Sequence, residues 1–167
     1  MNSLRSIGAA LIAASFIVIT PGIAGAASSS QQTTLQNLAG TWSCVTQTSD
    51  NRTLRETDVD AMYGNWLRSN ATYLGDSGQP AGTSTTFIGY DAKKALWVVT
   101  GVGTDGTYFT ATSSSPNFHG STWTDVFPDD HGGTVIHLTP YTQYSMDSHG
   151  PDPTGKMSTN HTVCTKQ

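Results

Sequence analysis

The chain has 167 residues, with 12 acidic and eight basic side chains and a formal net charge of -4 at pH 7. This length allows one modest domain and excludes a multidomain protein. No extended run of Lys or Arg is present, which argues against nucleic acids and anionic membranes as partners and leaves small, weakly charged molecules.

Residues 1–26 have the pattern of a cleaved secretory signal peptide. Arg5 precedes an apolar stretch from Ile7 to Ile19, and Ala24-Gly25-Ala26 matches an A-x-A cleavage site. As a helix, the apolar stretch would span only about 20 Å, which is shorter than a bilayer core of roughly 30 Å. We therefore expect a secreted or periplasmic protein with no membrane insertion after cleavage.

Residues 27–37 consist almost entirely of Ser, Gln, Thr and Asn. This composition is typical of a flexible polar tether. The folded domain is accordingly expected to occupy residues 38–167.

From Leu38 onward, short runs rich in Thr, Val and aromatic residues alternate with clusters of Gly, Pro, Asn and Asp. This pattern predicts an all-β domain, because no interval is long enough for a helical crossover between parallel strands. The predicted strands are Gly40–Gln47, Thr53–Asp60, Asn65–Leu74, Thr83–Tyr90, Ala95–Val102, Thr107–Ser113, Ser121–Phe127, Thr134–Leu138, Tyr141–Asp147 and Met157–Lys166.

The order of these strands predicts an antiparallel up-and-down meander of about ten strands. Asp91–Lys94 and Thr104–Gly106 have the composition of tight hairpin turns. Closure into a barrel would remove both exposed edges, and a sandwich is the alternative. A helix over Leu54–Tyr63 is a second alternative, although Thr53, Thr57 and Val59 favour a strand.

Cys44 lies in the first predicted strand and Cys164 in the last. Two cysteines in an exported protein ordinarily form a disulfide, with two buried free thiols as the alternative. In a closed meander with an even number of strands, the first and last strands are antiparallel neighbours. The bridge would fasten the barrel seam and close a loop of about 120 residues, which stabilises by about 4 to 5 kcal/mol.

A direct Cys44–Cys164 pair fixes the register of the two strands, so that paired residue numbers sum to 208. Trp42 is then opposite Lys166, and its indole shares one face with both cysteines. Lys166 can lie over Trp42 in a cation–π contact, and His161 is placed on the opposite face.

The triplet Gly40-Thr41-Trp42 resembles the G-x-W opening of lipocalins and related calycin barrels, including the nitrobindin-like group. Further motifs resemble a family of exported bacterial proteins of uncharacterised function: G-x-W-x-C at Gly40–Cys44, G-x-W-L at Gly64–Leu67, G-Y-D followed by W-V at Gly89–Asp91 and Trp97-Val98, and C-T-K at Cys164–Lys166. The resemblance implies a calycin-like barrel and supports the bridge.

The lipocalin likeness implies an apolar ligand in the barrel, with Trp42 at its base and a cation packed on that ring. Aromatic residues and two cations are the candidate ligand contacts, and they are Trp42, Trp66, Arg68, Phe87, Tyr90, Trp97, Tyr108, Trp123 and Lys166. The nitrobindin likeness implies haem held by His161, which the predicted register places on the outer face. No cofactor is expected otherwise.

Other polar residues suggest less specific alternatives. His119 and His137 are expected to meet at one rim, where two histidines alone make a weak metal site. Arg52, Arg55, Arg68 and Glu56 are expected on solvated strand faces, with an interior site for a carboxylate as the alternative.

These observations favour a non-catalytic barrel that binds a small apolar or amphipathic molecule. One alternative is a lyase, isomerase or hydrolase that uses His119, His137 or Arg68 near the mouth of the barrel. The remaining alternatives are a surface interaction protein without a ligand and the haem protein described above.

Overall fold

The computed structural model describes residues 29–75, 77–128, 132–139, 141–151 and 156–167. The expected signal peptide at residues 1–26 lies outside these ranges. The described chain consists of one helix, α1 at Ser29–Leu38, followed by ten strands. The strands are β1 Gly40–Thr48, β2 Thr53–Tyr63, β3 Trp66–Leu74, β4 Pro80–Asp91, β5 Leu96–Gly103, β6 Tyr108–Ser113, β7 Ser121–Phe127, β8 Gly133–Thr139, β9 Gln143–Pro151 and β10 Met157–Lys166.

The ten strands form a closed antiparallel barrel in which each strand pairs with its neighbours in sequence and β1 pairs with β10. The all-β meander, its closure and all ten predicted strands are therefore confirmed. The alternatives of a sandwich and of a helix over Leu54–Tyr63 are excluded, since that segment belongs to β2 and pairs with both β1 and β3.

Each of the two predicted hairpin turns is stabilised by an aspartate side chain that accepts hydrogen bonds from backbone amides within the turn. Asp91 Oδ1 accepts hydrogen bonds from the backbone amides of Lys93 at 3.0 Å and Lys94 at 3.2 Å. Asp105 Oδ1 accepts one from the amide of Thr107 at 3.0 Å, next to Gly106 at a φ of 86°. Asp is favoured in turns because it makes these local bonds, and Gly because it reaches positive φ without strain.

The barrel seam follows the register predicted from the cysteines. Cys44 pairs directly with Cys164, and their Sγ atoms form a disulfide. Trp42 pairs with Lys166, whose Nζ lies 5.2 Å from the centre of the indole ring. Gly40 lies beside this pair with a φ of 143°, which favours glycine, and a Cβ at that position would lie 2.6 Å from Cε of Lys166.

Helix α1 covers the end of the barrel at which β1 begins, which we call the helix end. Leu35 and Leu38 are buried there in the main apolar cluster. The carbonyl of Leu38 accepts a hydrogen bond from Trp42 Nε1 at 2.8 Å, and the carbonyl of Asn37 accepts one from Lys166 Nζ at 2.9 Å. These contacts anchor the helix to both strands of the seam.

The helix differs from the flexible tether expected over residues 27–37. From Ser29 onward this segment is ordered, and Leu35 is completely buried. Its composition gives a weak helical signal, since Leu35 and Leu38 are the only apolar side chains in ten residues. The packing of these two leucines against the barrel supplies the stability that such a short polar helix lacks in isolation.

The apolar core is concentrated at the helix end and is largely aromatic. Edge-to-face contacts join Trp97 to Phe118 and Phe118 to Trp123, with ring centres 5.1 Å and 5.7 Å apart. Such pairs add to the stabilisation from burial.

No helix in the described ranges is long and apolar enough to cross a membrane.

Candidate functional site

A cavity of about 300 Å³ lies inside the barrel above the aromatic core. Its apolar wall includes Phe109, Phe118, Trp123, Ile136 and Met146. The cavity also reaches Val102 and Thr107 beside the β5–β6 turn, and both of these residues are exposed. The cavity therefore extends from the barrel interior to the surface beside this turn.

One side of the cavity is acidic. Glu56, Asp58 and Asp60 alternate along β2, so their side chains share the inward face, and all three line the cavity. We call these three residues the acidic row. Asp125 on β7 contributes a fourth carboxyl to the lining.

Asp58 and Asp60 are the most deeply buried members of the acidic row, with 6% and 9% of their surfaces exposed. Burial, together with the charges of Glu56 and Asp60, raises the pKa of Asp58 to about 8, although a hydrogen bond from Tyr144 opposes this effect. Burial also raises the pKa of Asp60 to about 6, although a hydrogen bond with Ser69 and the charge of Lys166 oppose this effect. The carboxyl of Asp58 is therefore mostly protonated at neutral pH.

Tyr144 connects the acidic row to the barrel seam. Its hydroxyl bonds to Asp58 and lies 3.8 Å from Cys44 Sγ, and its ring packs edge-on against Trp42 with centres 4.9 Å apart. Burial raises the pKa of Tyr144 well above its usual range, and the charges of the nearby acids act in the same direction. Tyr144 therefore remains a neutral hydrogen-bond donor toward Asp58.

Cys44, Asp58 and Cys164 are the one group of three potential metal ligands that the described residues bring within 4.8 Å. Both sulfurs belong to the disulfide, so neither is a thiolate that can bind a metal. This cluster is consequently a structural contact between the seam and the acidic row.

Only Trp123 among the nine candidate ligand contacts lines the cavity. Trp42 and Trp97 are fully buried in the core, where Tyr90 packs against Trp97 and Lys166 covers Trp42. These four residues form the floor of the barrel beneath the cavity.

The other four candidates lie on the outside of the barrel and do not line the cavity, and they are Trp66, Arg68, Phe87 and Tyr108. Strand alternation turns Arg68 and Phe87 outward, because their neighbours Ser69 and Ile88 line the cavity. Tyr108 is turned outward in the same way beside Phe109, and it stacks on Phe127.

Trp66 also lies on the outer surface of the barrel. Its ring covers Gly89, where a Cβ would lie 2.4 Å from the indole. The lack of a side chain at Gly89 therefore leaves room for the ring of Trp66. Gly89 is on the outer face of β4, because the preceding residue, Ile88, lines the cavity and successive residues of a strand face opposite sides.

The arginines expected on solvated faces are placed outside the cavity. Arg52 and Arg55 are exposed, and Arg52 pairs with Asp50 at 2.7 Å. Glu56 differs from the same expectation, because it lies on the inner face of β2 and lines the cavity. The interior thus carries the opposite charge from the one considered for a carboxylate ligand.

The histidines also lie outside the cavity. His119 and His137 do meet, with ring centres 6.4 Å apart, but both are exposed, and no group of three ligand atoms within 4.8 Å among the described residues includes either. His161 is exposed on the outer face, where its Nδ1 lies 2.6 Å from Asp147 Oδ1. The predicted outward direction of His161 is confirmed.

Sequence reasoning missed the acidic row and most of the aromatic lining. The signal was present in Glu56-Thr57-Asp58-Val59-Asp60, because acids at every second position of a strand share one face. The usual rule that apolar residues face inward fails here, since Val59 is half exposed and the acids are internal.

Comparison with solved structures finds designed barrels of the same fold. A redesigned β-barrel, b11L5F_LGL, is 14% identical over 80% of this chain and 94% of its own, with a TM-score of 0.51. EF1p2_mFAP2b bound to DFHBI is 12% identical over 83% of this chain and 98% of its own, with a TM-score of 0.50. No protein-family model and no curated protein matches the sequence. The chain therefore has a calycin-like barrel fold.

Proposed function

We propose that this protein binds a small apolar or amphipathic molecule inside the barrel. The observation that carries the proposal is the cavity of about 300 Å³, with an aromatic and aliphatic wall and a few convergent polar groups. Small-molecule sites typically combine these features. The aromatic floor that includes Trp42 and Trp97 closes the space beneath the ligand.

The solved barrel EF1p2_mFAP2b supports the proposal as a precedent. It is bound to DFHBI, so a barrel of this general form can hold a small molecule. The choice of ligand in the present chain depends on its own lining residues.

Export remains part of the proposal. The signal-peptide pattern at residues 1–26 supports secretion or a periplasmic location, and a disulfide between Cys44 and Cys164 suits an oxidising compartment. The intact mass of the protein from its own host would test this point, with cleavage after Ala26 as the expected result. Membership of the exported bacterial family also stays a prediction.

The binding role is favoured over catalysis by the positions of the residues considered for an enzyme. His119, His137 and Arg68 do not line the cavity. A molecule held in the barrel would therefore not meet these groups, whereas the apolar wall would contact it directly.

Titration with the neutral dye N-phenyl-naphthylamine tests the proposed function. Its fluorescence rises on entry into an apolar site, so saturable binding is expected for the wild-type protein. Ala111→Trp places a large ring in the cavity, because Ala111 is 4% exposed and lines it. Thr112→Trp is the matched control on the outward face of the same strand.

Loss of dye binding in Ala111→Trp, with unchanged binding in Thr112→Trp, is the expected result. Equal binding by both variants would place the dye outside the cavity. An absence of saturable binding in the wild-type protein would contradict the proposed function.

A further inference from the structure

The acidic row contains two carboxyl oxygens without a partner among the described residues. Asp58 Oδ1 and Asp60 Oδ1 are buried and make no hydrogen bond to any residue that the structure describes, although both aspartates line the cavity. A buried polar atom without a partner costs free energy, and the cost is larger when the group is charged. A ligand that donates hydrogen bonds at this position would remove that cost.

The charge of the lining points to a cationic donor. Four acids line the cavity, and none of the described residues that line it is Lys, Arg or His. Lys166 acts on Asp60 from the floor, where its Nζ is bonded to the carbonyl of Asn37. The acidic row therefore places three carboxyl groups on one wall, and no described lining residue supplies a cation to pair with them.

The acids of the row do not form a ready-made metal site. Ca²⁺ takes about six to eight oxygen ligands, and Mg²⁺ requires near-octahedral geometry. Consistently, no group of three ligand atoms within 4.8 Å in the described chain combines two members of the acidic row.

The cavity wall opposite the acidic row favours a cation that carries an apolar organic group. Phe109, Phe118 and Trp123 provide aromatic surface, and Ile136 and Met146 provide aliphatic surface. Aromatic rings also attract cations through their faces.

We propose that the ligand is a small organic amine, whose ammonium group bonds to Asp58 and Asp60 while its apolar body packs against Phe109, Phe118 and Trp123. This inference rests on the proposed function and adds the chemical class of the ligand. An ammonium group has three donors, which suffices for both unpartnered Oδ1 atoms. Charge-assisted bonds of this kind are stronger than neutral ones.

The raised pKa values of the two aspartates agree with this arrangement. Burial and the neighbouring acids keep Asp58 largely protonated at neutral pH. A bound ammonium would favour the ionised carboxylates, so amine binding should release protons.

Calorimetric titration with three ligands of similar shape tests whether the site prefers an amine. Phenethylamine, phenethyl alcohol and hydrocinnamate share an aromatic body and differ in a cationic, neutral or anionic end. We expect phenethylamine to bind at least about tenfold more tightly than the alcohol at pH 8, and hydrocinnamate to bind least. Proton release on amine binding should appear as a dependence of the measured heat on the buffer.

The Asp58→Asn/Asp60→Asn double variant keeps the side-chain shapes and removes both charges. It should lose the preference for phenethylamine while it still binds phenethyl alcohol, and retained alcohol binding shows that the barrel is folded. Asp147→Asn is the control for net charge, because Asp147 is exposed on the outer face. It should keep the preference.

The possible outcomes separate the two proposals. Equal affinities for the amine and the alcohol would overturn the amine inference and leave small-molecule binding standing. Binding of Ca²⁺ alone that the double variant abolishes would overturn it in favour of a metal site. Failure of all three ligands, together with failure of the neutral dye, would overturn both.

Discussion

Asp58 Oδ2 lies 3.5 Å from Cys44 Sγ, so a carboxyl on the cavity wall contacts the disulfide that closes the barrel. A disulfide sulfur has no proton to donate, and this contact is a hydrogen bond only when Asp58 is protonated. The raised pKa of Asp58 agrees with that form. The seam and the candidate site are therefore one connected structure.

The disulfide is expected to be a major source of stability. Cys44 and Cys164 are 120 positions apart, and closure of so long a loop stabilises by about 4 to 5 kcal/mol on the chain-entropy account. Cys44→Ser/Cys164→Ser should lower the free energy of unfolding accordingly in urea denaturation. Reductant should destabilise the wild-type protein but not the double variant. Equal urea midpoints for the oxidised and reduced wild type would contradict this role.

The acidic row should make the empty protein less stable as pH rises. Asp58 and Asp60 have pKa values of about 8 and about 6, against an ordinary value of 3.8. The folded state therefore holds more protons than the unfolded chain across this range. The contribution of these two groups to stability is therefore greatest below about pH 4, and it is lost as pH rises toward about 6 for Asp60 and about 8 for Asp58.

Asp58→Asn tests this linkage by thermal unfolding at several pH values. The variant should be more stable than wild type at pH 8, by an amount on the order of a few kcal/mol, and similar to it at pH 4. Asp147→Asn should show no gain at pH 8. Parallel stability curves for wild type and Asp58→Asn would refute the raised pKa.

Amine affinity should increase with pH. The groups that face Asp58 and Asp60 are Glu56 on β2, Tyr73 on β3, Tyr144 on β9, Lys166 on β10 and Asp125 across the cavity. An alkylamine stays protonated below about pH 10, as Lys does. Between pH 5 and pH 8 the affinity for phenethylamine should rise at least tenfold, because the carboxyls lose their protons.

Phenethyl alcohol provides the control for this pH dependence, since its binding does not require ionised carboxyls. Its affinity should change little between pH 5 and pH 8. A similar rise for the alcohol would assign the effect to a change in the barrel itself.

Helix α1 should contribute to the stability of the barrel through Leu35. Leu35→Ala removes a completely buried side chain and should cost about 2 to 5 kcal/mol. Gln36→Ala changes the next, exposed residue and should have little effect. Equal urea midpoints for Leu35→Ala and wild type would mean that the helix does not pack as described.

The strands, the barrel and the seam could be predicted because local patterns and one covalent constraint specify them. Thr- and Val-rich runs separated by Gly, Asn and Asp determine where strands and turns lie. Cys44 and Cys164 then fix the register, and with it the Lys166–Trp42 contact and the outward direction of His161.

The candidate site could not be predicted in the same way, because it reverses the usual polarity of a strand. In β2 the acids face inward and Val59 faces outward, so hydrophobicity gives the wrong face. Residue type alone does not identify the aromatic side chains that line the cavity, because the direction of each ring depends on the alternation of its strand. The burial of Leu35 depends on tertiary contacts that the mostly polar sequence of α1 does not reveal.

A crystal structure of the protein with phenethylamine would test the account most directly. We expect the ligand nitrogen about 2.7 to 3.2 Å from an oxygen of Asp58 or Asp60, with the phenyl ring against Phe109, Phe118 or Trp123. A ligand on the outer surface of the barrel, or one inside it with the nitrogen turned away from both aspartates, would contradict the account.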